Sequence, residues 1–271
     1  VGDHGWTKTH DDSRKFALEQ LDNIEVEFLP SISTADAPDR IDEFIADGAN
    51  VVIGTSFDFL NPIQQAALSN PDVNFLLTSG FSTGQNLGSY FGRMYQVMYQ
   101  AGVLAGQMTT TDNVGIVGPV IIPETVRHVN AFTQGVRSVK PNATVTIEWA
   151  GDWFNPPAEE AATNAILEAG VDVIFGHTDT TIPIEIANQY YLDNNKGVKG
   201  IGYDNPDACT FKPALAETCI ASAYWNWGPL LTELLAQMQI GTWEPTESPW
   251  RQMGGNSETS TAYLSAISID L

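Results

Sequence analysis

The chain has 271 residues, of which 43% are hydrophobic, and its 33 acidic and 12 basic residues give a net charge of −21. This length supports a sizeable core in one large or two ordinary domains. The charge argues against nucleic acid or an anionic membrane surface as a partner, because both would repel the chain, and it is also typical of a halophile's solvated surface.

Helical and strand-like patterns alternate through the first half of the chain. The pattern predicts helices over Thr9–Leu21, Arg40–Asp47 and Pro62–Leu68, and strands over Ile24–Leu29, Asn50–Ser56 and Val73–Thr78. A long helix over Met94–Met108 closes this half, and its two glycines, Gly102 and Gly106, indicate close packing on a neighbouring helix. No apolar run of about 18 residues occurs, so no membrane span is predicted.

The second half repeats the alternation, which is typical of parallel sheets covered by helices on both faces. Predicted strands are Asn113–Gly118, Thr144–Trp149, Val171–Asp179, Lys199–Asp204, Cys219–Tyr224 and Ala262–Leu271; predicted helices are Glu124–Val139, Ala158–Ala169, Pro183–Leu192 and Leu230–Ile240. We therefore expect two lobes across a cleft, one formed by residues 1–109 and 225–243 and the other by residues 110–224 and 244–271. Three chain crossings would form a hinge, and hinge closure is the expected motion.

Polar and aromatic residues recur where predicted strands end, at the edge where open α/β sheets bind ligands. Trp153 follows one strand in a loop with Asp152, and Trp6 lies in a loop before the first helix, so two aromatics are available to sandwich a planar molecule. Thr78 and Ser79 are explained as helix caps. The remaining clusters at this edge are Asp3 with His4, Thr55 with Ser56 and Phe57, His177 with Thr178 and Asp179, Tyr203 with Asp204, and Trp225 with Asn226.

The pattern argues for binding rather than catalysis. His177 and Asp179 share one face of their strand, and Ser56 is a conceivable third member of a triad, but no Gly-x-Ser-x-Gly turn is present. Neither histidines nor cysteines have metal-ligand spacing, so we expect no metal, cofactor or catalytic residue.

The only two cysteines, Cys209 and Cys219, flank a loop that contains Pro213. We expect a disulfide across this loop, with two free buried thiols as the alternative, and a disulfide indicates a location outside the cytoplasm. The chain starts in a loop without the usual first apolar strand. We therefore expect further residues upstream of Val1, including any signal or lipid anchor.

A family resemblance rests on several stretches that occur in order along nearly the whole chain. They are Gly5-Trp-Thr-Lys-Thr-His10, Thr55-Ser-Phe57 with Asn61-Pro62, Ile122-Pro-Glu-Thr-Val-Arg127, Asn130-Ala-Phe-Thr-Gln-Gly135, Trp153-Phe-Asn-Pro156, His177-Thr-Asp179, Gly202-Tyr-Asp204 and Trp225-Asn-Trp-Gly-Pro229. Together they resemble the basic membrane protein family of ABC-transporter substrate-binding proteins.

The resemblance implies a type I periplasmic-binding-protein fold whose lobes close on a purine base or nucleoside for delivery to a membrane permease. Its two stacking aromatics match Trp6 and Trp153, one from each lobe, and its ribose-binding aspartate matches Asp204. Nucleoside binders often carry a lysine where this chain has Trp225 and Asn226, which makes a free base such as adenine plausible.

We therefore expect an extracytoplasmic, monomeric binding protein, periplasmic or extracellular, with the option of a lipid anchor. The alternatives are a sensor domain that feeds a membrane signalling protein and a nucleoside hydrolase-like enzyme that uses His177 and Asp179. The expected ligand-binding residues are Asp3, Trp6, His10, Ser56, Phe57, Gln96, Asp152, Trp153, His177, Asp179, Asp204, Trp225 and Asn226.

Overall fold

The structure is a computed structural model that describes residues 4–194, 196–245, 250–251 and 262–266, the last two ranges by their backbone. The described helices are α1 Trp6–Gln20, α2 Ala37–Ala46, α3 Leu60–Ser69, α4 Met94–Met108, α5 Pro123–Val139, α6 Pro156–Glu168, α7 Ile182–Asn194 and α8 Gly228–Gln239. The described strands are β1 Val51–Gly54, β2 Asn74–Thr78, β3 Leu87–Gly92, β4 Asn113–Gly118, β5 Thr144–Trp149, β6 Val173–Gly176, β7 Lys199–Asp204, β8 Cys219–Trp225, β9 Trp250–Arg251 and β10 Ala262–Ala266.

The chain divides into two compact units. The first comprises residues 1–11, 93–226 and 253–271, and the second comprises residues 12–92 and 227–252. This grouping differs from the predicted lobes, because residues 1–11, 93–109, 225 and 226 join the first unit and residues 244–252 join the second. The predicted lobe boundaries and hinge closure stay predictions.

The first unit is built on a sheet of six strands in the order β10-β8-β7-β6-β4-β5. Only β10 is antiparallel to its neighbour; the other strands pair in parallel. Neighbouring residues of β6 face opposite sides: Ile174 joins an apolar cluster with α6 and α7, while Phe175 stacks on Phe132 of α5 at 5.2 Å between ring centroids. Helices therefore cover both faces, which confirms the predicted α/β class with parallel sheets.

The second unit carries a parallel sheet of four strands in the order β1-β2-β3-β9. Its core contains Phe75 and Leu77 from β2, packed with Ile41 of α2 and Ile63 of α3. None of the described helices is long and apolar enough to cross a membrane.

Several sequence predictions differ from the structure. Helix α2 begins at Ala37, three residues earlier than predicted, and β6 ends at Gly176, so His177 and Asp179 lie in the loop after the strand and not on it. The strand predicted over Ile24–Leu29 is wrong: the segment has no regular structure, because its alternating apolar residues find no strand to pair with among the described residues. Strand β3 was not predicted because its glycines and serine hide the strand pattern, and pairing with β2 establishes it. Helix α1 begins at Trp6, three residues earlier than predicted.

The predicted join over residues 109–112 is held by one carboxylate within the first unit. Asp172 accepts hydrogen bonds from the hydroxyls of Thr109 (2.5 Å) and Thr110 (2.8 Å) and from the amides of Thr110 (2.7 Å) and Thr111 (2.9 Å). Burial by itself would raise the pKa of Asp172, but these donors lower it below its usual value. The carboxylate therefore ties the end of α4 to the start of β6.

Helices α4 and α5 approach each other through glycines. A Cβ atom added to Gly102 would lie 2.0 Å from the carbonyl oxygen of Phe132, and one added to Gly135 would lie 2.0 Å from that of Tyr99. The two backbones are therefore in direct contact, as the sequence predicted for this glycine-bearing helix.

We expect Gly102→Ala to lower the free energy of unfolding by about 1 to 3 kcal/mol. The clash with the Phe132 carbonyl forces the helices apart and outweighs the roughly 1 kcal/mol that alanine gains in helix propensity. Urea unfolding measures the change. Gly197→Ala is the control, because a Cβ there meets nothing within 4 Å. Equal or greater stability of Gly102→Ala would contradict the packing.

Candidate functional site

The parallel strands of the first unit end at one edge of the sheet. Strands β4 to β8 all pair in parallel, so the loops that follow them lie along this carboxyl edge. The loop after β5 carries Asp152 and Trp153, and the loop after β6 carries His177 and Asp179. The start of α1, with Trp6, belongs to the same unit.

Three loops meet at Asp179. Its backbone amide donates a hydrogen bond to the carbonyl oxygen of Trp153, 3.1 Å away. On its other side, a Cβ added to Gly5 would lie 2.0 Å from the carbonyl oxygen of Asp179, so only glycine fits there. The backbone of the loop after β6 therefore joins the Trp153 loop to the residue that precedes Trp6.

Trp6 is held by other aromatic rings of the first unit. Its ring lies edge-on to His10 at 4.6 Å and to Trp225 at 6.0 Å, and the hydroxyl of Thr9 donates to the carbonyl oxygen of Trp225 at 3.0 Å. Trp225 is almost fully buried, whereas the side chains of Trp6 and Trp153 are partly exposed. Both predicted stacking residues are thus partly accessible, Trp6 at the start of α1 and Trp153 in the loop after β5.

The disulfide loop also supports the start of the chain. Cys209 and Cys219 form the predicted disulfide, with Cα atoms 5.3 Å apart. Phe211 in this loop stacks on His4 at 4.4 Å, and Asp207 lies 3.7 Å from the ammonium group of Lys8. These contacts flank Trp6 on both sides along the chain.

His128 and His177 form a buried pair of histidines. His128 of α5 and His177 approach to 3.2 Å between Nδ1 and Nε2, and His177 also contacts Phe175 and Tyr203. Burial lowers the pKa of His177 to about 3. The pKa of His128 is lowered well below 6.5, mainly by burial and also by repulsion from His177 and Arg127. The pair is therefore neutral at pH 7, and one ring donates to the other.

Several carboxylates act electrostatically on Tyr203. Its hydroxyl accepts a hydrogen bond from Nε1 of Trp225 at 3.2 Å. Burial raises the pKa of Tyr203 well above 10, and the charges of Asp204, Glu124 and Asp179 raise it further, partly offset by the Trp225 bond. Asp204 is fully buried and adopts a positive φ of 66°. The region therefore suits ligand groups that donate hydrogen bonds more than anionic ligands.

Most of the predicted site residues belong to the first unit. They are Trp6, His10, Gln96, Asp152, Trp153, His177, Asp179, Asp204, Trp225 and Asn226. Ser56 and Phe57 belong to the second unit, where Ser56 accepts from the amide of Asp58 at 3.2 Å and caps a short helical turn. Asp3 lies outside the described residues. The role of each of these residues in binding stays a prediction.

Comparison with known proteins identifies the family. The sequence model of the Bmp family, described as ABC transporter substrate-binding protein PnrA-like, matches residues 1–253. The chain belongs to the Bmp family. A purine-binding protein of Brucella abortus is 33% identical over 256 residues, which cover 94% of this chain and 70% of that protein. A putative ABC transporter glucose-binding protein of Haloferax volcanii is 32% identical over 97% of this chain and 64% of its own length.

Solved structures support the same fold. An ABC-transporter solute-binding protein of Aeropyrum pernix superposes with a TM-score of 0.84 at 16% identity, over 97% of this chain and 73% of that one. An ABC-transporter solute-binding protein of Conexibacter woesei gives a TM-score of 0.73 at 20% identity, and the match covers 98% of this chain and 84% of that one. Bmp proteins are substrate-binding proteins, not enzymes; they lie outside the cytoplasm, bind a small ligand and work with a membrane permease.

The structure of this Bmp family member adds residues that the sequence did not indicate as site residues. Glu124 is one of the carboxylates whose charge raises the pKa of Tyr203. His128 pairs with His177, which lies 49 residues away in the sequence. Glu159 lies in the first turn of α6, where acidic residues are common in helices. That signal indicates a cap but not the contacts of Glu159 with the neighbouring loop.

We expect acid to destabilise the protein through its buried histidines. Burial lowers the pKa of His10 and of His177 to about 3, and that of His128 is also lowered, whereas all three take up protons near pH 6.5 once unfolded. Their contribution is therefore complete above pH 6.5 and is lost as pH falls towards 3. Each costs about 1.4 kcal/mol per pH unit below 6.5.

Urea unfolding between pH 7.5 and pH 5.5 measures this dependence, in a range where carboxylates titrate little. His128→Phe should reduce the slope of stability against pH by roughly one third. A stability that is flat from pH 6.5 to pH 5.5 would show that these rings are protonated in the folded protein.

Proposed function

We propose that this Bmp family member binds a purine base or purine nucleoside at the carboxyl edge of its six-stranded sheet, with Trp6 and Trp153 as the stacking residues. The junction at Asp179 carries this proposal, because its backbone contacts both Trp153 and Gly5, the residue before Trp6, and both indoles are partly exposed. The similarity to the Brucella purine-binding protein supports the choice of ligand.

The chemistry of a purine suits such a place. A purine is flat, neutral and weakly hydrated, and stacking on an indole adds about 0.5 to 1.5 kcal/mol per aromatic pair beyond the area buried. Carboxylates accept hydrogen bonds only, so Asp179 and Asp204 favour the N–H groups of a ring edge or the hydroxyls of a ribose. A nucleotide is disfavoured, because its phosphate would meet the negative charge near Tyr203.

A sugar is the second candidate, because the Haloferax relative is named as a putative glucose-binding protein. Indoles also cover the apolar faces of sugars. A sugar, however, presents hydroxyls around its whole rim, whereas a purine presents two flat apolar faces to a pair of rings. We therefore place the purine first.

The first test is calorimetry with adenine, adenosine, guanosine, inosine and glucose on protein that has been unfolded, freed of copurified ligand and refolded. We expect at least one purine to bind at least about tenfold more tightly than glucose, a difference of about 1.4 kcal/mol. Binding of glucose without binding of any purine would replace the proposal by sugar transport.

The second test removes the indoles. Trp6→Ala and Trp153→Ala should each weaken purine binding by about 2 kcal/mol or more, roughly a 30-fold rise in Kd, with the fold intact. Replacement by Phe at either position should lose less, because a ring remains to stack on. Phe154→Ala is the control: its side chain is 58% exposed in the same loop, and we expect Kd to change less than about twofold.

A fold collapse of Trp153→Ala would indicate that this ring is a core residue. An equal loss of affinity in Phe154→Ala would assign the effect to the loop as a whole. The transport role is tested separately by the neighbouring genes: genes for a permease and an ATPase support it, and a kinase or chemoreceptor gene supports the sensor alternative.

A further inference from the structure

Glu159 is a fully buried carboxylate near the start of α6. One of its oxygens accepts a hydrogen bond from the amide of Asn155 at 3.1 Å, in the loop that carries Trp153. The other accepts from the hydroxyl of Thr178 at 2.7 Å and from that of Thr180, the residues on either side of Asp179. A single side chain thus bridges the loops after β5 and β6.

These partners are unusual for a buried charge. Within the part of the chain that the structure describes, Glu159 is held by uncharged donors, without a cation. Burying a carboxylate is costly unless hydrogen bonds compensate for the water that it loses. The start of α6 is already capped: the side chain of Asn155 accepts from the amide of Ala158, and Glu159 accepts from the amide of Asn155. The two threonine bonds are therefore not needed to start the helix.

The bridged loops carry the candidate site. The bond from the Asp179 amide to the Trp153 carbonyl lies between the two loops that Glu159 joins. Thr180 is fixed further, since its hydroxyl also accepts from the amide of Ile182 at 3.1 Å, at the start of α7. Removing the carboxylate would release Thr178 and Thr180 together and allow Asp179 to shift relative to Trp153.

We propose that Glu159 is a positioning residue for ligand binding, which sets Trp153 and Asp179 relative to each other without touching the ligand. This inference rests on the proposed function, because its readout is purine affinity. In metal sites, removing an outer group that orients the ligating residues typically costs about 10- to 100-fold in affinity, and we take the lower end for this site. We expect Glu159→Ala to weaken purine binding by at least about tenfold.

Glu159→Gln is the rescue variant. The glutamine oxygen accepts from the Asn155 amide, and its NH₂ group donates to the threonine hydroxyls, which also accept. We expect Glu159→Gln to recover most of the affinity, to within about threefold of the original chain. Glu160→Ala is the matched control, because Glu160 is the next residue on the same helix and is exposed; its affinity should not change.

Thr178→Val tests the bridge from the other side, with little change in shape and no change in charge. The Thr178 hydroxyl donates to Glu159, so the substitution should weaken binding in the original chain but have no further effect in Glu159→Ala, where that bond is already lost. All affinities are measured by calorimetry at a temperature where unfolding curves show each variant to be folded. If Glu159→Ala does not fold, Thr178→Val and Glu159→Gln carry the test.

The outcomes separate the two proposals. Failure of the unmodified chain to bind any purine overturns the proposed function. If the unmodified chain binds a purine but folded Glu159→Ala binds it within twofold, the positioning role is overturned and the proposed function stands. The same result for Thr178→Val decides the question where Glu159→Ala does not fold. Independent, additive losses from Glu159→Ala and Thr178→Val also overturn the bridge.

Discussion

Parallel pairing of β4 to β8 is the constraint on which the candidate site depends. Parallel strands cannot be joined by tight turns, so each is followed by a loop and a helix, and all these loops begin at the same edge of the sheet. Residues far apart in sequence, such as Trp153 and Asp179, meet there through backbone hydrogen bonds. The sheet thus sets the positions of the loops, and hydrogen bonds from side chains adjust them.

The edge carries two sets of side chains. On the surface are partly exposed groups, Trp6 and Trp153, which suit contact with a flat ligand. The same edge also has buried polar side chains that are neutral or held by hydrogen bonds, among them the His128–His177 pair and Glu159. Rigid support of this kind limits the conformational entropy lost when a ligand binds, which favours affinity.

The sequence predicted the architecture well because its signals are periodic. Alternating apolar strands and helices established the α/β class, the order of motifs established the Bmp family, and Cys209 and Cys219 pair as expected. Its two errors over strands have one cause: Ile24–Leu29 has the pattern of a strand but no partner among the described residues, and β3 has partners but a weak pattern. Strand formation depends on pairing, which is not a local property.

By itself, the sequence determined the class of the fold, the family and the chemical character of the edge residues, because residue type and spacing carry that information. Tertiary structure alone decided which of them meet. The proximity of Gly5 to Asp179, the pairing of His128 with His177 and the bridge from Glu159 to Thr178 and Thr180 all join separate elements. The physical reason is that a hydrogen bond or close contact between distant segments depends on the relative position of their backbones, which local patterns do not encode.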